Sequence, residues 1–203
     1  MSLAYMTTNR GKYLRVQKLG IENNLEIEEY VDEIDELEVS DVSEVSKDKA
    51  IKAYNKLLKP VFVEDSGFYI NGYPNKKNYP GTLVKRSGIS TNIEQLLETM
   101  KEVENRDCEF ISCVTYYDGE EIKQFISSSK GVLTTEIRGE ITENARSRLW
   151  QVFIPEGYEK TLAEMTDEER KRRSAKTNSA FQQFIDWYVN KKSVNEKNKV
   201  KIY

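Results

Sequence analysis

Residues 61–67 read Val-Phe-Val-Glu-Asp-Ser-Gly, so that three apolar residues run directly into two adjacent acids. A short apolar run of this kind is typical of a strand buried within a sheet. Ligand sites of open α/β sheets gather at the carboxyl ends of strands, and buried acids need a partner that holds their charge. We therefore expect a short strand that ends abruptly at Glu64 and presents Glu64 and Asp65 to a functional site.

Helices and further strands are predicted on both sides of this segment. Asp41 and Glu44 fit a capping box that begins a helix, and Pro60 ends that helix directly before the acid-bearing strand. Asp118-Gly119 supplies the tight turn of a hairpin. Other strands are predicted at residues 3–8, within 24–39, at 108–117, 121–127 and 131–137, and other helices at 12–19, 90–103, 166–173 and 176–189. This alternation predicts one mixed α/β domain over residues 1–189, followed by a Lys-rich polar tail at residues 190–203.

The charge balance and the hydropathy limit the partners of the chain. Lys and Arg number 31, and Asp and Glu number 34, among 203 residues, so the net charge is −3. A chain without net positive charge does not attract the phosphate backbone of a nucleic-acid duplex. No apolar run approaches the roughly 20 residues of a membrane span. We therefore predict no nucleic-acid partner, no membrane partner and a cytoplasmic location.

Two absences limit the chemistry. The chain has no histidine, which excludes catalytic triads built on histidine and histidine metal ligands. Its two cysteines, Cys108 and Cys113, lie five apart in a predicted strand and therefore on opposite faces, and two thiols alone do not make a zinc site. Carboxylates, lysines, arginines and hydroxyls remain. That set suits magnesium-dependent phosphate chemistry, because hard cations prefer oxygen ligands.

Three further segments carry residue types suited to phosphate binding, and each also has an ordinary structural explanation. Residues 7–12, Thr-Thr-Asn-Arg-Gly-Lys, join a strand to a helix whose free N–H groups attract phosphate, but they equally suit an Asn-capped helix. Lys85 follows Pro80-Gly81 in what is otherwise a surface loop. Residues 153–165 lead into a basic helix that continues to Ser174, and basic residues 170–173 also fit a solvated helix face.

Taken together and in this order, the motifs resemble those of the inosine triphosphate pyrophosphatase family, over residues 5–189. The family's Thr-x-Asn-x-x-Lys junction falls on Thr7, Asn9 and Lys12, and its helix lysine falls on Lys49. The remaining matches are Glu64-Asp65-Ser66-Gly67, Pro80-Gly81 with Lys85, and Phe153, Pro155, Gly157, Thr161, Ala163, Glu164 and Met165. Each motif is weak alone, but five in register are specific.

The resemblance implies a fold and a reaction. The fold is α/β, with a long twisted mixed β-sheet and helices that form two lobes around a central cleft. The reaction is hydrolysis of a nucleoside triphosphate, of a deaminated or otherwise modified purine, to the monophosphate and pyrophosphate. The implied cofactor is Mg²⁺, with Mn²⁺ as a substitute, and the implied assembly is a homodimer.

The resemblance also assigns residues. Asp65 is expected to hold and deprotonate the attacking water. The metal ligands are expected to be Glu64, Asp65 and an acid of residues 35–38, where the family alignment favours Glu38 and Glu36 is the alternative. The expected phosphate-binding residues are Thr7, Asn9, Lys12, Lys49, Lys85 and Arg170, and the expected base-binding residues are Trp150, Ser174 and Lys176, with a core role as the alternative for Trp150.

The chain departs from the family where the base is read. The family carries an aspartate ahead of Phe153 and Ser-His-Arg at the head of the last helix, whereas here residues 147–152 hold no aspartate and Ser174 is followed by Ala175 and Lys176. The resemblance therefore supports the reaction type more strongly than a preference for inosine or xanthosine. Two alternatives stay open, a family member with a shifted base specificity and a catalytically silent nucleotide-binding protein.

Overall fold

The computed structural model describes residues 2–142 and 147–200, with the backbone alone for residues 193–200. Its strands are β1 (Leu3–Met6), β2 (Ile27–Tyr30), β3 (Val61–Ile70), β4 (Tyr79–Gly81), β5 (Asp107–Tyr117), β6 (Ile122–Leu133) and β7 (Phe153–Pro155). Its helices are α1 (Arg10–Glu22), α2 (Val42–Leu57), α3 (Val84–Ser87), α4 (Ile93–Thr99), α5 (Asp167–Ala175) and α6 (Ala180–Val200), and a 3₁₀ turn covers Arg148–Gln151.

The strands of the described segments form one mixed sheet. Its order is β2-β1-β3-β5-β6-β7, and β4 pairs with β3 beside this path. β1 is parallel to β2 and β3, whereas β3, β5, β6 and β7 pair antiparallel in succession. The predicted α/β class with a twisted mixed sheet and flanking helices is therefore confirmed.

Helices cover the sheet on both faces, and each face has its own apolar core. On the first face, α1 and α6 pack on strand residues such as Phe62 and Val114. On the second face, α2 packs its small residues Ala50 and Ala53 against Val61 and Val63. A third cluster, centred on Phe68 and including residues of α4 and β7, fills the far end of the first face. Because side chains alternate along a strand, β3 contributes to both faces.

The prediction that the acid-bearing strand ends at Glu64 is wrong. β3 runs for ten residues, through the acids to Ile70, and its ladder with β5 is continuous from the pair Val61–Tyr117 to the pair Ile70–Cys108. The acids therefore lie in the middle of a strand. The pairing on the other edge of β3 is interrupted at the acids. On that edge, β1 pairs only with Val61 and Phe62, and β4 pairs only with Phe68–Ile70.

Other predicted boundaries also shift. β6 continues to Leu133, so the separate strand predicted at residues 131–137 does not form. α4 has seven residues instead of the predicted fourteen. The last helix begins at Ala180 because Ser179 accepts the backbone N–H of Gln182 at 3.2 Å, and it continues to Val200. No helix in residues 2–142 and 147–200 is long and apolar enough to cross a membrane.

The extension of α6 reaches the hairpin turn between β5 and β6. Lys191 Nζ lies 3.0 Å from Asp118 Oδ2 and 2.7 Å from Glu121 Oε2. Partial burial acts to raise the pKa of Asp118, but hydrogen bonds from the Glu121 N–H and from Lys191 outweigh it and lower this pKa to about 2. The boundary between domain and tail at residue 190 stays a prediction, and the helix itself has no break there.

Candidate active site

The junction between β1 and α1 is a capped helix start. Asn9 Oδ1 accepts the backbone N–H of Lys12 at 3.1 Å, and Thr7 Oγ1 accepts the backbone N–H of Asn9 at 3.1 Å. The Asn-capped helix that the sequence also suited is therefore present. The junction also does more, because the cap sets the first turn of α1 so that the Lys12 side chain reaches Glu64 on β3, with Nζ 3.1 Å from Oε2.

Glu64 and Asp65 point to opposite faces of the sheet, since they are consecutive residues of a regular strand. Glu64 lies on the first face, where its side chain is only 6% exposed and where Lys12 and Arg15 both contact Oε2, Arg15 at 3.4 Å. A buried carboxylate needs such partners. Glu64 therefore anchors two cations of α1.

Asp65 lies on the second face, beneath α2. Its Oδ1 accepts the backbone N–H of Ser66 at 2.8 Å. Its Oδ2 is buried and accepts no hydrogen bond within the described segments, and Lys49 Nζ lies 3.6 Å away. Burial raises the pKa of Asp65 above its ordinary value, Lys49 acts to lower it, and the nearby charge of Glu36 acts to raise it again. A buried acceptor without a donor is the kind of group that a ligand, ion or water satisfies.

Of the two candidate acids before α2, Glu36 is the one that reaches this group. Glu36 Oε1 lies 2.6 Å from Lys49 Nζ, so that Lys49 sits between Glu36 and Asp65. Glu38 is about two-thirds exposed and forms its ion pair with Arg86 instead. The sequence-based set of Glu38, Glu64 and Asp65 is therefore not brought together, and no group of three metal-ligating side chains occurs in the part of the chain that the structure describes.

The oxygen donors on the second face nevertheless fit a divalent cation. Asp65 offers an unpartnered buried oxygen and Glu36 a second carboxylate. Mg²⁺ is commonly held by only one or two carboxylates, with water and substrate phosphates completing its shell. Asp65 and Glu36 are the two carboxylates that such a cation would use here.

The glycines of two motifs touch each other beside this group. A Cβ on Gly67 would lie 2.7 Å from the carbonyl oxygen of Gly81, and Gly81 itself has a φ of +64°. Only glycine allows this close approach of the two backbones. The contact brings the start of α3 near β3, and Lys85 in α3 is an exposed lysine for which the described segments show no ion pair.

Arg170, an expected phosphate ligand, is already engaged. Its Nη1 donates to the carbonyl oxygen of Leu162 at 2.8 Å and to that of Met165, and its Nη2 lies 2.5 Å from Asp167 Oδ1. Its guanidinium also lies 5.4 Å from the ring centre of Trp150. Trp150 is half-buried and borders the third apolar cluster, so its core role is at least partly realised.

The other predicted base-binding residues are exposed. Ser174 and Lys176 lie at the end of α5 with exposed side chains. In the same helix Arg173, which the sequence analysis did not select, is half-buried, donates to Ser129 on β6, and has its pKa lowered by burial. Arg15 was missed in the same way. The available signal for Arg15 was its i, i+3 spacing from Lys12, which places both on one side of α1.

A row of hydroxyls crosses the first face between the two apolar clusters. Ser66 pairs with Ser112 and Ser112 with Ser127 on adjacent strands, so the three side chains stand side by side. Phe62 lies to one side of this row and Phe68 to the other. The polar row marks the division between two lobes that the resemblance implies.

The fold and the site define a class, an α/β protein with an open mixed sheet whose central strand carries acids paired with lysines, as phosphate chemistry requires. The sequence profile of the Ham1 family matches residues 3–187, and the chain belongs to this family. The predicted relationship to inosine triphosphate pyrophosphatases is thereby confirmed. Hydrolases of this family are generally metal-dependent.

Curated relatives and solved structures agree with this assignment. A dITP/XTP pyrophosphatase of Saccharolobus solfataricus is 29% identical over 193 residues, covering 94% of this chain and 97% of its own. A dITP/XTP pyrophosphatase of Methanopyrus kandleri is 31% identical over 194 residues, with the same two coverages of 94% and 97%. The structure of a HAM1 protein from Coxiella burnetii superposes with a TM-score of 0.78 at 19% identity, covering 94% of this chain and 100% of that one, which supports the fold.

Proposed function

We propose that this protein hydrolyses nucleoside triphosphates of deaminated or otherwise modified purines to the monophosphate and pyrophosphate, with Mg²⁺ or, in its place, Mn²⁺. The observation that carries the proposal is Asp65, a buried carboxylate with one unpartnered oxygen, beside a lysine that also contacts a second acid. Relatives named dITP/XTP pyrophosphatases, matched over nearly the whole chain, support the substrate class.

In this mechanism Asp65 accepts the proton of the attacking water, and its buried position favours that role because burial already raises its affinity for a proton. Lys12, Lys49 and Lys85 neutralise the triphosphate. Thr7 and Asn9 shape the helix start that presents Lys12. Asp65 and Glu36 would hold the cation, which when bound supplies positive charge beside the reacting phosphate and the pyrophosphate leaving group.

Other assigned roles extend the proposal. Glu64 is proposed to fix Lys12 and Arg15 on the first face, and a direct role for Glu64 or Glu38 as metal ligands stays a prediction. Phosphate binding by Arg170 and base binding by Trp150, Ser174 and Lys176 stay predictions as well. The same holds for a homodimer and for a cytoplasmic location.

The experiment that tests the reaction measures products from a panel of nucleotides with the purified protein. Attack at the α-phosphorus releases pyrophosphate, so we expect monophosphate and pyrophosphate, and no diphosphate. Asp65→Asn should lower kcat by about 10³-fold or more while nucleotide still binds, because it removes both a base and a metal ligand. Asp107→Asn, at an exposed strand end, is the matched control. Release of diphosphate and orthophosphate, or nucleotide binding without turnover in the unaltered protein, would contradict the proposal.

Base specificity is proposed to be weaker than in typical relatives. Reading the 6-oxo group and the N1–H of hypoxanthine requires a donor and an acceptor, whereas Ala175 offers neither and Lys176 only donates. Loss of such buried hydrogen bonds lowers discrimination between substrates. We therefore expect kcat/KM for ITP and XTP to exceed that for ATP and GTP by less than a thousandfold, or a different base to be preferred. A preference of a thousandfold or more would show that other groups read the base.

A further inference from the structure

The segment between β2 and α2, residues 31–40, carries Glu36 but has almost no regular structure. It lies along α2 in the opposite chain direction. Three lysines of α2, Lys49, Lys52 and Lys56, are spaced three and four residues apart and therefore lie on one face of the helix, and Lys59 follows just beyond its end.

Three of these lysines contact the segment in reverse order along its length, and Lys59 contacts β2 just before it. Lys59 Nζ lies 2.9 Å from Glu28 Oε2 within β2. Lys56 Nζ lies 2.6 Å from Asp32 Oδ2 and donates to the Glu33 carbonyl oxygen at 3.0 Å. Lys52 Nζ donates to the Asp35 carbonyl oxygen at 2.7 Å, and Lys49 Nζ lies 2.6 Å from Glu36 Oε1. We call these contacts the lysine ladder.

Apolar burial contributes little to the position of this segment. Ile34 packs against the core beneath α2, but Val31 is 70% exposed and Leu37 is 39% exposed. The far end is fixed separately, since Thr82 and Tyr69 donate to the carbonyl oxygens of Val39 and Ser40. The middle of the segment, with Glu36, is therefore held mainly by charge.

We propose that Lys52 and Lys56 are positioning residues, which hold the acidic segment against α2 so that the Glu36 carboxylate stays beside Lys49 and Asp65. The proposal rests on the proposed function, in which Asp65 and Glu36 hold the divalent cation. The ladder preorganises one of two carboxylates, so its loss weakens cation binding without altering the reacting groups. Because exposed charges are screened by salt, the ladder also makes cation affinity sensitive to ionic strength.

The test uses the full chain with Lys56→Gln and with the double variant Lys52→Gln/Lys56→Gln. Gln has a helix propensity close to that of Lys, so α2 is preserved. Lys47→Gln is the matched control, since Lys47 is an exposed residue of the same helix for which the described segments show no ion pair. Lys56→Arg keeps the charge and should restore the wild-type result. Mn²⁺ serves as the probe, and its binding to the nucleotide-free protein is followed by electron paramagnetic resonance.

We expect the double variant to bind Mn²⁺ about two- to tenfold more weakly, since it loses the exposed Lys56–Asp32 ion pair and the hydrogen bonds from Lys52 and Lys56 to carbonyl oxygens of the segment. The Mn²⁺ concentration for half-maximal turnover should rise by the same factor while kcat at saturating Mn²⁺ stays within twofold of wild type. Backbone amides of residues 31–38 should exchange faster with solvent. The difference from wild type should shrink as NaCl is raised toward 1 M.

Unchanged Mn²⁺ affinity in the double variant, or an equal loss in Lys47→Gln, would overturn the proposal. A fall in kcat with unchanged Mn²⁺ affinity would overturn it as well, since a positioning role for a cation ligand acts on binding. The direct binding measurement does not depend on turnover. If wild type binds Mn²⁺ but hydrolyses no nucleotide, the proposed function fails while the ladder is still tested.

Discussion

Arg170→Met distinguishes a structural role of this arginine from phosphate binding. The substitution removes two hydrogen bonds from the guanidinium to the carbonyl oxygens of Leu162 and Met165, together with the cation–π contact with Trp150. The Arg170 side chain is only 17% exposed, so water does not readily replace these donors. Hydrogen bonds to charged groups contribute about 1.5–3 kcal/mol each, and two from one nitrogen overlap, so we expect a loss of about 2–4 kcal/mol.

Thermal unfolding measures this loss directly. A change of 1 kcal/mol shifts Tm by about 2–4 °C in a chain of this size, so Arg170→Met should lower Tm by about 5–15 °C. If the role of Arg170 is structural, KM for the nucleotide, measured well below the new Tm, should change by less than about threefold, because its guanidinium stays with its carbonyl partners. Lys171→Met, an exposed neighbour in α5, is the control and should leave both quantities unchanged.

The opposite pattern would refute this reasoning. If Tm stays within 2 °C of wild type while KM rises tenfold or more, the guanidinium leaves its carbonyl partners to bind phosphate. Arg170→Lys adds a further check. A lysine keeps the charge but lacks the planar fork, so the structural role predicts an intermediate Tm with a normal KM, whereas a phosphate role predicts a wild-type Tm with a KM between those of wild type and Arg170→Met.

Three further predictions concern stability. In EDTA at pH 7, Asp65→Asn should raise Tm by about 2–4 °C, because the raised pKa of Asp65 means that its ionised form opposes folding at any pH above its ordinary pKa. This gain in Tm should vanish below about pH 4, where the carboxyl is protonated in both the folded and the unfolded state. A lower Tm at pH 7 would contradict this prediction. Ionised Asp118, whose pKa is lowered, stabilises the fold above about pH 4, and this stabilisation is lost as the pH falls toward 2. Asp118→Asn should therefore lower Tm by about 1–3 °C at pH 7 but not at pH 2, which thermal unfolding across this pH range would measure. A chain that ends at residue 192 keeps Lys191 and should have the wild-type Tm, whereas one that ends at residue 189 should resemble Asp118→Asn; equal values for the two truncations would remove Lys191 from the account.

The order of the longer elements was predictable from the sequence, whereas the short elements β4, α3 and β7 and the length of β3 were not. Local patterns place a strand at Val61 and its end at Glu64, since acids, serine and glycine in succession are typical of a turn. Strand pairing with β5 overrides this preference, because it gives every residue from Val61 to Ile70 a partner that is distant in the sequence. Strand propensity depends on such partners, which a single segment does not reveal.

The candidate site was predicted in part. The resemblance led to Lys49 and Asp65, which the structure places 3.6 Å apart. It favoured Glu38 over Glu36, whereas Glu36 is the acid that contacts Lys49, because an irregular segment has no periodicity from which a register can be read. The resemblance also could not show that the Arg170 guanidinium donates hydrogen bonds to nearby carbonyl oxygens. These contacts form only because residues 162–170 fold back on themselves.

The gap between β1 and β4 along the edge of β3 has a consequence for association. Within the described segments, residues 63–67 of β3 pair with β5 on one side, and no strand pairs with their other edge. Open edges of this kind invite pairing with another chain, and natural sheets protect them by keeping them short and placing charges in them. Here the gap is five residues long and two of the five are Glu64 and Asp65. Only Ser66 among the five is exposed, so the gap is protected by its short length, by the burial of its other residues and by the two charges within it.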